Sequence, residues 1–519
     1  VLVSDFVLRI SDFKITPVKV ILSQNSIQLK KLQAWVTREP LFQTLRQTAD
    51  RLGCACYLTG GLVRDWFLGR PTRDIDLAVS RLALELAQEF AQAVQGTFVL
   101  LKKDQATARV VLPGLQFDFA GFRASSLPED LGDRDFTINS MALPLATAFG
   151  PDPWEPIDPL NGAGDLVRGI IRQCDPNSFV QDPLRLLRAY RLKAQLGMEI
   201  EPETREGIKK WGPSLNRSAP ERRLYEWLRL LAQPEAGPSL SLMNEDGVLD
   251  ILFPEFLPLK NTPQNSFHHL NVFDHSFLAF QWLEQILTRE PPWPSGLAEG
   301  LKTFPENGAQ RSYLKWTALV HDLGKPAAAE RKDDRWTFHS HDRLGQELFS
   351  KIAERFRLGH QARDIIVRLI GWHMRPFHLL QEKTKGRLTA RALLRFVKEI
   401  NQDLNSVFLL ALADCRAAQG PDRPPDLEDR LIRLWQEALQ IQKEIILPLA
   451  SAPPLITGKD LIQLGLTPGP LFKEMIDRIK EAQWSGAIAT REEALAWIRR
   501  TLEKNLVQTR NSKSETFLF

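Results

Sequence analysis

Cysteine is scarce. There are four in 519 residues (Cys54, Cys56, Cys174 and Cys415), and their spacing forms no disulfide framework. A small secreted scaffold held by bridges is therefore excluded, and reduced thiols in a cytoplasmic protein are the economical expectation. Cys54 and Cys56 suit one strand face, where a buried apolar role is favoured over a zinc site. No apolar run reaches the length of a membrane span, so no membrane contact is expected. The first residues lack a basic stretch followed by an apolar core, so no secretory signal is expected. Neither sign of charge dominates: 67 Lys and Arg stand against 63 Asp and Glu, a net of +4. That sum permits a nucleic-acid partner without requiring one, and the placement of charge matters more than its total. The chain is too long for one core, and roughly three or four domains are expected.

What is present centres on residues 60–76. An apolar run, Cys54-Ala55-Cys56-Tyr57-Leu58, reads as a buried strand. Gly60-Gly61 allows a tight turn, and Val63–Leu68 has helical character ended by Gly69 and Pro71. Backbone N–H groups at a strand-turn-helix junction suit a phosphate. Arg73-Asp74-Ile75-Asp76-Leu77-Ala78-Val79 reads as the next strand. Residues two apart share a strand face, so Asp74 and Asp76 point the same way with Ile75 and Leu77 packed behind. Two carboxylates side by side repel, and a divalent cation between them relieves the repulsion. The bland reading is a solvated Asp-X-Asp at a strand end. A phosphate-binding turn next to the pair points instead to metal-assisted phosphoryl or nucleotidyl transfer.

Ahead of this stretch, Phe6–Ile10 and Val18–Leu22 alternate apolar and polar residues and read as one or two short strands, and the pattern from about Ser26 to Leu52 is helical. Further along, Leu82–Val94 has helical periodicity, while Phe98–Leu101, Ala108–Leu112 and Leu115–Phe119 read as strands, and after Leu502 the chain turns polar. In the last, Leu115, Phe117 and Phe119 face one side and Gln116 and Asp118 the other. Arg134-Asp135-Phe136-Thr137-Ile138-Asn139 follows after a short connection. In Gln181-Asp182-Pro183-Leu184-Arg185-Leu186-Leu187-Arg188-Ala189-Tyr190-Arg191, Asp182 suits an N-cap and Pro183 the first helical position. Arg185, Arg188 and Arg191 recur every three residues and stay near one helical face. A solvated basic face is the bland reading of that repeat.

Gly-Gly-X-Val-Arg-Asp followed by Asp-Ile-Asp resembles the signature of the class II tRNA nucleotidyltransferases and bacterial poly(A) polymerases, within the polymerase-β-like nucleotidyltransferases. The resemblance covers about residues 40 to 505. It implies an α+β head, then an all-α neck, an HD domain and a helical tail. The boundaries so implied are 1–40 for an extension of no assigned role, 41–175 for the head, 176–250 for the neck, 251–447 for the HD domain and 448–519 for the tail. The implied activity is addition of nucleotides from CTP and ATP to the 3′ end of tRNA without a nucleic-acid template, releasing pyrophosphate. Asp74 and Asp76 would hold Mg2+, and Asp118 matches the third acid that activates the attacking 3′-hydroxyl. Gly60, Gly61 and Arg64 would help hold the triphosphate, with Arg134, Arg188 and Arg191. Asp135 and Asn139 match the ribose-recognising motif, although Asp133 stands where that motif has Arg. Asp182 and Arg185 match the pair that reads the incoming base: Asp accepts from cytosine N4 and Arg donates to N3 and O2. Gln181 replaces the usual Glu there. Lys209, Arg217, Arg222, Arg223 and Arg229 in the neck, and Lys459, Lys473 and Arg478 in the tail, suit phosphate contact with RNA.

All nine histidines lie between His268 and His378. Within that stretch, and just beyond it, His275, His321-Asp322, His341, His373 and Asp414 resemble in order the HD phosphohydrolases. The resemblance implies one or two divalent cations, of a transition metal by ligand type, activating water against phosphoesters.

The resemblance also bears on product. CCA-adding relatives carry a flexible loop between the third acid and the ribose motif. Here only residues 119–133 separate Asp118 from Arg134. The shortened connection resembles the branch that adds CC alone; the bland reading is that a short loop suffices and the complete CCA is made. A poly(A) polymerase, an HD hydrolase with an inactive head, and a tRNA-binding protein without catalysis are the alternatives. The sequence leaves oligomeric state open.

Overall fold

The computed structural model describes residues 18–501 apart from 71, 152–153, 289–296, 305–307, 334, 449–453 and 485–486. The strand expected at Phe6–Ile10 and the polar end after Leu502 lie outside the described residues. The chain forms two compact units. One comprises residues up to Leu257 with Ile352–Leu358; the other comprises Pro258–Lys351 and Gly359 onward.

The first unit opens with a helix, α1 (Val18–Arg38). The strand expected at Val18–Leu22 is thus corrected. Its alternation spans too few residues to outweigh the helical spacing of buried Leu32 and Val36 downstream, and a helix once nucleated propagates. The single helix expected from about Ser26 to Leu52 is also divided. Glu39 takes an extended conformation (φ −78°, ψ 115°) ahead of Pro40, which begins α2 (Pro40–Leu52). Gly53, at φ 62°, closes α2.

Next come β1 (Cys56–Thr59), α3 (Gly61–Phe67), β2 (Asp74–Val79), α4 (Ala83–Ala93), β3 (Thr97–Lys102), β4 (Thr107–Leu112), β5 (Leu115–Gly121), α5 (Leu127–Gly132) and β6 (Ala142–Pro144). The strands form one mixed sheet in the order β3-β4-β5-β2-β1-β6. β2 and β5 run parallel, and the other neighbours run antiparallel. Helices α2 and α4 cover one face. Phe42 and Phe90 lie edge-on to Phe117 at 5.6 and 5.0 Å between ring centroids. Burying such rings contributes about 0.5–1.5 kcal/mol per pair beyond the area term, which fixes β5 rigidly. The opposite face of β2 and β5 is left for polar groups.

Beyond the sheet the chain is mainly helical. The first unit continues through helices Leu184–Leu196, Pro202–Trp211 and Pro220–Leu231. The second unit contains helices Val272–Thr288, Gly308–Val320, His360–Trp372 and Leu404–Ala417, with a short hairpin of Glu330–Lys332 and Arg335–Thr337. Near its end Leu461, Met475, Ile479, Ile488 and Ile498 form a small core of their own. An α+β head followed by helical segments is the expected fold class.

Candidate functional site

Three carboxylates converge on the uncovered face of the sheet. β2 and β5 pair so that Asp76 lies opposite Asp118 and Asp74 opposite Gln116. Ile75, Leu77, Phe117 and Phe119 point the other way and are buried. Period-two alternation on two strands in parallel register therefore places all three acids together. Gln116 donates from Nε2 to Asp74 Oδ1 at 2.6 Å. Gly60 has φ 69°, and a Cβ built there would meet Asp76 Oδ2 at 2.8 Å. The turn thus needs glycine for both conformation and space. Gly61 N–H donates to Asp76 Oδ2 at 3.2 Å. Burial first, then repulsion from Asp118, pushes the Asp76 carboxyl up to about 6.

Asp118 has a partner that residue patterns did not single out. Arg109 stands opposite it on β4 and clamps both its oxygens, Nε to Oδ1 at 2.6 Å and Nη2 to Oδ2 at 2.8 Å. The bidentate geometry fixes the third acid in one orientation.

A polar chain runs from α3 to the neck. Arg64, buried in α3, donates to Asn139 Oδ1 at 2.7 Å and to Asp65 at 2.7 Å. Asn139 donates to Asp135 Oδ1 at 2.9 Å. Arg188 donates to Asp135 Oδ2 at 2.8 Å and reaches Glu226 at 3.4 Å. Arg191 donates to the other oxygen of Glu226 at 2.6 Å. Burial raises the Asp135 carboxyl, but Arg188 and Asn139 outweigh it and hold Asp135 well below the usual carboxylate range. Arg134 stands beside this chain, its charge opposing the upward shift of Asp76. Its Nε is buried without a hydrogen-bond partner.

The expected base-reading pair is arranged as follows. Asp182 receives Arg222 Nη2 at 2.8 Å and Leu184 N–H at 3.2 Å. The Leu184–Leu196 helix starts one residue later than expected, with Pro183 rather than Asp182 at its N-cap, because Asp182 is extended (φ −139°, ψ 97°) where it closes the preceding turn Ser178–Gln181. Arg185 is buried. Its Nη1 donates to Ser178 Oγ at 2.7 Å and to the Arg134 carbonyl at 3.1 Å, and its Nη2 donates to the Asp133 carbonyl at 2.6 Å. Gln181 Oε1 is a further, longer acceptor at 3.4 Å. Asp133, where the motif has Arg, thus acts here through its backbone.

The second unit brings together His275, His321, Asp322, His341, His373 and Asp414, all buried or nearly so. Asp322 divides its oxygens: Oδ2 faces His321 Nε2 at 3.3 Å and Oδ1 faces His341 and His373 Nε2 at 3.4 and 3.6 Å. Asp414 Oδ1 lies 3.0 Å from His275 Nε2. Each of His321, His341 and His373 places Nδ1 within 2.9 Å of a backbone carbonyl, of Ala318, Phe338 and Ile370 respectively. A carbonyl only accepts, so each Nδ1 carries the proton and each Nε2 presents a lone pair. His321 Nε2 has no hydrogen-bond partner. His341 and His373 aim Nε2 at Nε2 across 3.1 Å. Two lone pairs so placed repel unless a cation sits between them, so the donor set fits divalent metal. Burial pushes His341 down to about 4, which favours the neutral, ligating form.

The poly A polymerase head domain matches residues 56–172, the probable RNA and SrmB-binding site of polymerase A matches 197–259, and the HD domain matches 272–435. The A-adding tRNA nucleotidyltransferase of Deinococcus radiodurans is 32% identical over 460 residues, spanning 86% of this chain and 95% of that protein. The chain belongs to the tRNA nucleotidyltransferase family. Its similarity to the CC-adding tRNA nucleotidyltransferase of Synechocystis is 31% over 447 residues, or 85% and 92% of the two chains. Solved structures of the family agree. A CCA-adding enzyme complexed with CTP is 25% identical, with TM-score 0.57 over 92% of this chain and 98% of that one. The Thermotoga maritima CCA-adding enzyme complexed with tRNA is 25% identical, with TM-score 0.55 over 89% and 95%.

Within this tRNA nucleotidyltransferase, four further residues bear on the sites. Arg109 was legible only once β4 and β5 were paired. Glu226 is a buried acid whose signal is its basic neighbours in space, not in sequence. Lys325 stands three residues after Asp322 and pairs with its Oδ2 at 2.7 Å. His268 joins His275 and Asp414 in a group of potential ligands. Arg223, expected among RNA contacts, is instead buried and donates to Asn216 Oδ1 at 3.0 Å.

Proposed function

We propose that the chain extends the 3′ end of tRNA without a nucleic-acid template, adds CC, and stops there. The observation that carries the chemistry is the register of β2 against β5, which sets Asp76 opposite Asp118 beside Asp74. Asp74 and Asp76 are the residues that would hold Mg2+. A divalent cation held there would neutralise charge on the α-phosphate and the departing pyrophosphate. Asp118 takes the proton of the attacking 3′-hydroxyl. Arg134 offers its unpartnered Nε to the triphosphate, a donor well suited to phosphate oxygens. Arg64, Asn139, Asp135, Arg188 and Arg191 form a pre-ordered wall, in which Asp135 and Asn139 face the ribose. Asp182 and Arg185 read the base. The four unpaired cysteines fit a cytoplasmic site of action, and among the described residues no helix is long and apolar enough to cross a membrane.

The CC limit rests on the connection between β5 and α5. Only residues 122–126 join them, and the side chain of Ser126 caps α5 by accepting from Glu129 N–H. Arg185 is fixed by the backbone carbonyls of Asp133 and Arg134. Cytosine and adenine present different edges. A pocket whose reader is pinned, with no long loop to move it, stays set for one base. Relatives named for CC addition and for A addition both match well, so product analysis decides. The test is incubation with tRNA ending before CCA, and separately with tRNA ending in CC, each with CTP and ATP. Addition of two cytidines to the first and nothing to the second is expected. Efficient ATP-dependent extension of the second sinks the CC limit and leaves nucleotidyl transfer standing.

The second unit carries its own reading: a metal-dependent phosphohydrolase acting on 2′,3′-cyclic or terminal phosphates. His275, His321, Asp322, His341, His373 and Asp414 would hold one or two divalent cations, which would supply activated water for attack on a phosphoester. Metal analysis of the wild type against a His321→Ala/Asp322→Ala variant tests it, and equal metal content in both refutes the ligand set.

A further inference from the structure

The helix Pro220–Leu231 presents one exposed stripe: Glu221, Arg222, Tyr225 and Arg229. Arg223, Glu226, Trp227 and Leu230 on its other sides are buried. Tyr225 is 55% exposed, and among the described residues of the first unit no other aromatic side chain is classed as exposed. A tyrosine presents an apolar body and a polar tip, so an exposed ring offers a flat face for contact. Its surroundings are cationic. Arg229, one turn on, donates to the Tyr225 hydroxyl at 2.6 Å and lies over the ring at 5.4 Å from the centroid. Arg222, one turn back, pairs with Asp182. The residue after Tyr225 is Glu226, which anchors Arg188 and Arg191. The stripe therefore borders the base-reading residues, and the ion pairs of Arg222 and Glu226 pin the helix against the site.

We propose that Tyr225 is the stacking platform for the 3′-terminal base of the RNA primer, with Arg222 and Arg229 serving the phosphates on either side. This rests on the nucleotidyl-transfer reading. An exposed ring flanked by arginines is the pairing that single-stranded nucleic acid needs. Every base has a π-face, so the contact holds the strand without reading its sequence. The position also answers a mechanical need. The primer end changes identity with each addition, whereas its hydroxyl must return to Asp118. A sequence-tolerant contact next to the site meets both conditions. Tyr225 is thus a positioning residue that binds substrate and takes no part in proton transfer.

The test separates primer binding from the chemistry. In Tyr225→Ala, KM for tRNA lacking CCA should rise about tenfold, the scale of one lost base–aromatic stack. KM for CTP and kcat at saturating tRNA should stay within about twofold on the same argument. Tyr225→Phe keeps the ring and should restore the wild-type KM for tRNA. With 2-aminopurine as the terminal primer base, fluorescence should be quenched on binding to the wild type and to Tyr225→Phe, and not on binding to Tyr225→Ala. An unchanged KM for tRNA in Tyr225→Ala overturns the proposal. So does an effect confined to CTP, or a Phe variant as impaired as the Ala variant. A wild type that binds the 2-aminopurine primer with quenching but incorporates nothing would sink the transfer reading and leave the stacking contact intact.

Discussion

Asp74, Asp76 and Asp118 show what residue-level reasoning reaches. Strand parity alone places the first two on one face, and the same parity aims Asp118 away from Phe117 and Phe119. What parity does not supply is the partner strand. Arg109 became visible only when β4 was seen to run antiparallel to β5 with Arg109 opposite Asp118. The raised Asp76 carboxyl has a stability consequence for the metal-free protein. The folded state keeps a proton on Asp76 up to about 6, whereas an unfolded Asp loses it near about 3.9. Between those values the native state binds more protons, so this group's contribution to stability is greatest below about 4 and falls as the pH rises to about 6. Asp76→Asn removes that penalty. In EDTA the variant should melt above the wild type at pH 7.5, and the difference should shrink to nothing near pH 4. Thermal melts across that range check it. Incorporation should respond in the opposite direction. Asp74→Ala and Asp76→Ala should each lose on the order of 100- to 1,000-fold or more in CTP incorporation, the scale of removing one electrostatic stabiliser. Their affinity for tRNA should be largely kept. Parallel incorporation and RNA-binding assays decide between a metal ligand and a merely structural acid.

At the scale of elements, the sheet was legible and the first helix was not. Phe98–Leu101, Ala108–Leu112 and Leu115–Phe119 carry β-branched and aromatic residues bounded by turn signals, and each emerged as a strand one or two residues longer. Val18–Leu22 offered a similar alternation but became the start of α1, because alternation over five residues cannot be told from one helical turn of apolar residues. The contact between the Leu184–Leu196 and Pro220–Leu231 helices was illegible for a different reason. It depends on Glu226, a single acid buried between Arg188 and Arg191 that come from 35 or more residues away. Removing one partner of such a group leaves buried charge uncompensated. Glu226→Ala should therefore destabilise the chain by about 3–5 kcal/mol. A lowered urea midpoint measures it. Glu226→Gln keeps the shape and part of the hydrogen bonding, and should fall between the two.

Over the whole molecule, the carboxylates that suit Mg2+ lie in one compact unit and the histidines that suit a transition metal lie in the other. His321→Ala/Asp322→Ala should lose bound metal while CTP incorporation stays near the wild-type rate. Asp74→Ala should do the reverse, keeping the metal of the second unit. Elemental analysis and incorporation, run on both variants, test this independence, and a shared loss in either variant would contradict it. The polar chain Arg64–Asn139–Asp135–Arg188–Glu226–Arg191 has a consequence of another kind, one of ancestry. Its charges alternate along four segments distant in sequence, and each acid sits between basic or amide neighbours. A single replacement strands a neighbour, so the path of least damage from one working version to another passes through paired exchanges. These positions should drift together or not at all, and their history should read as correlated steps shared by head and neck, making the two halves of this network one heritable unit.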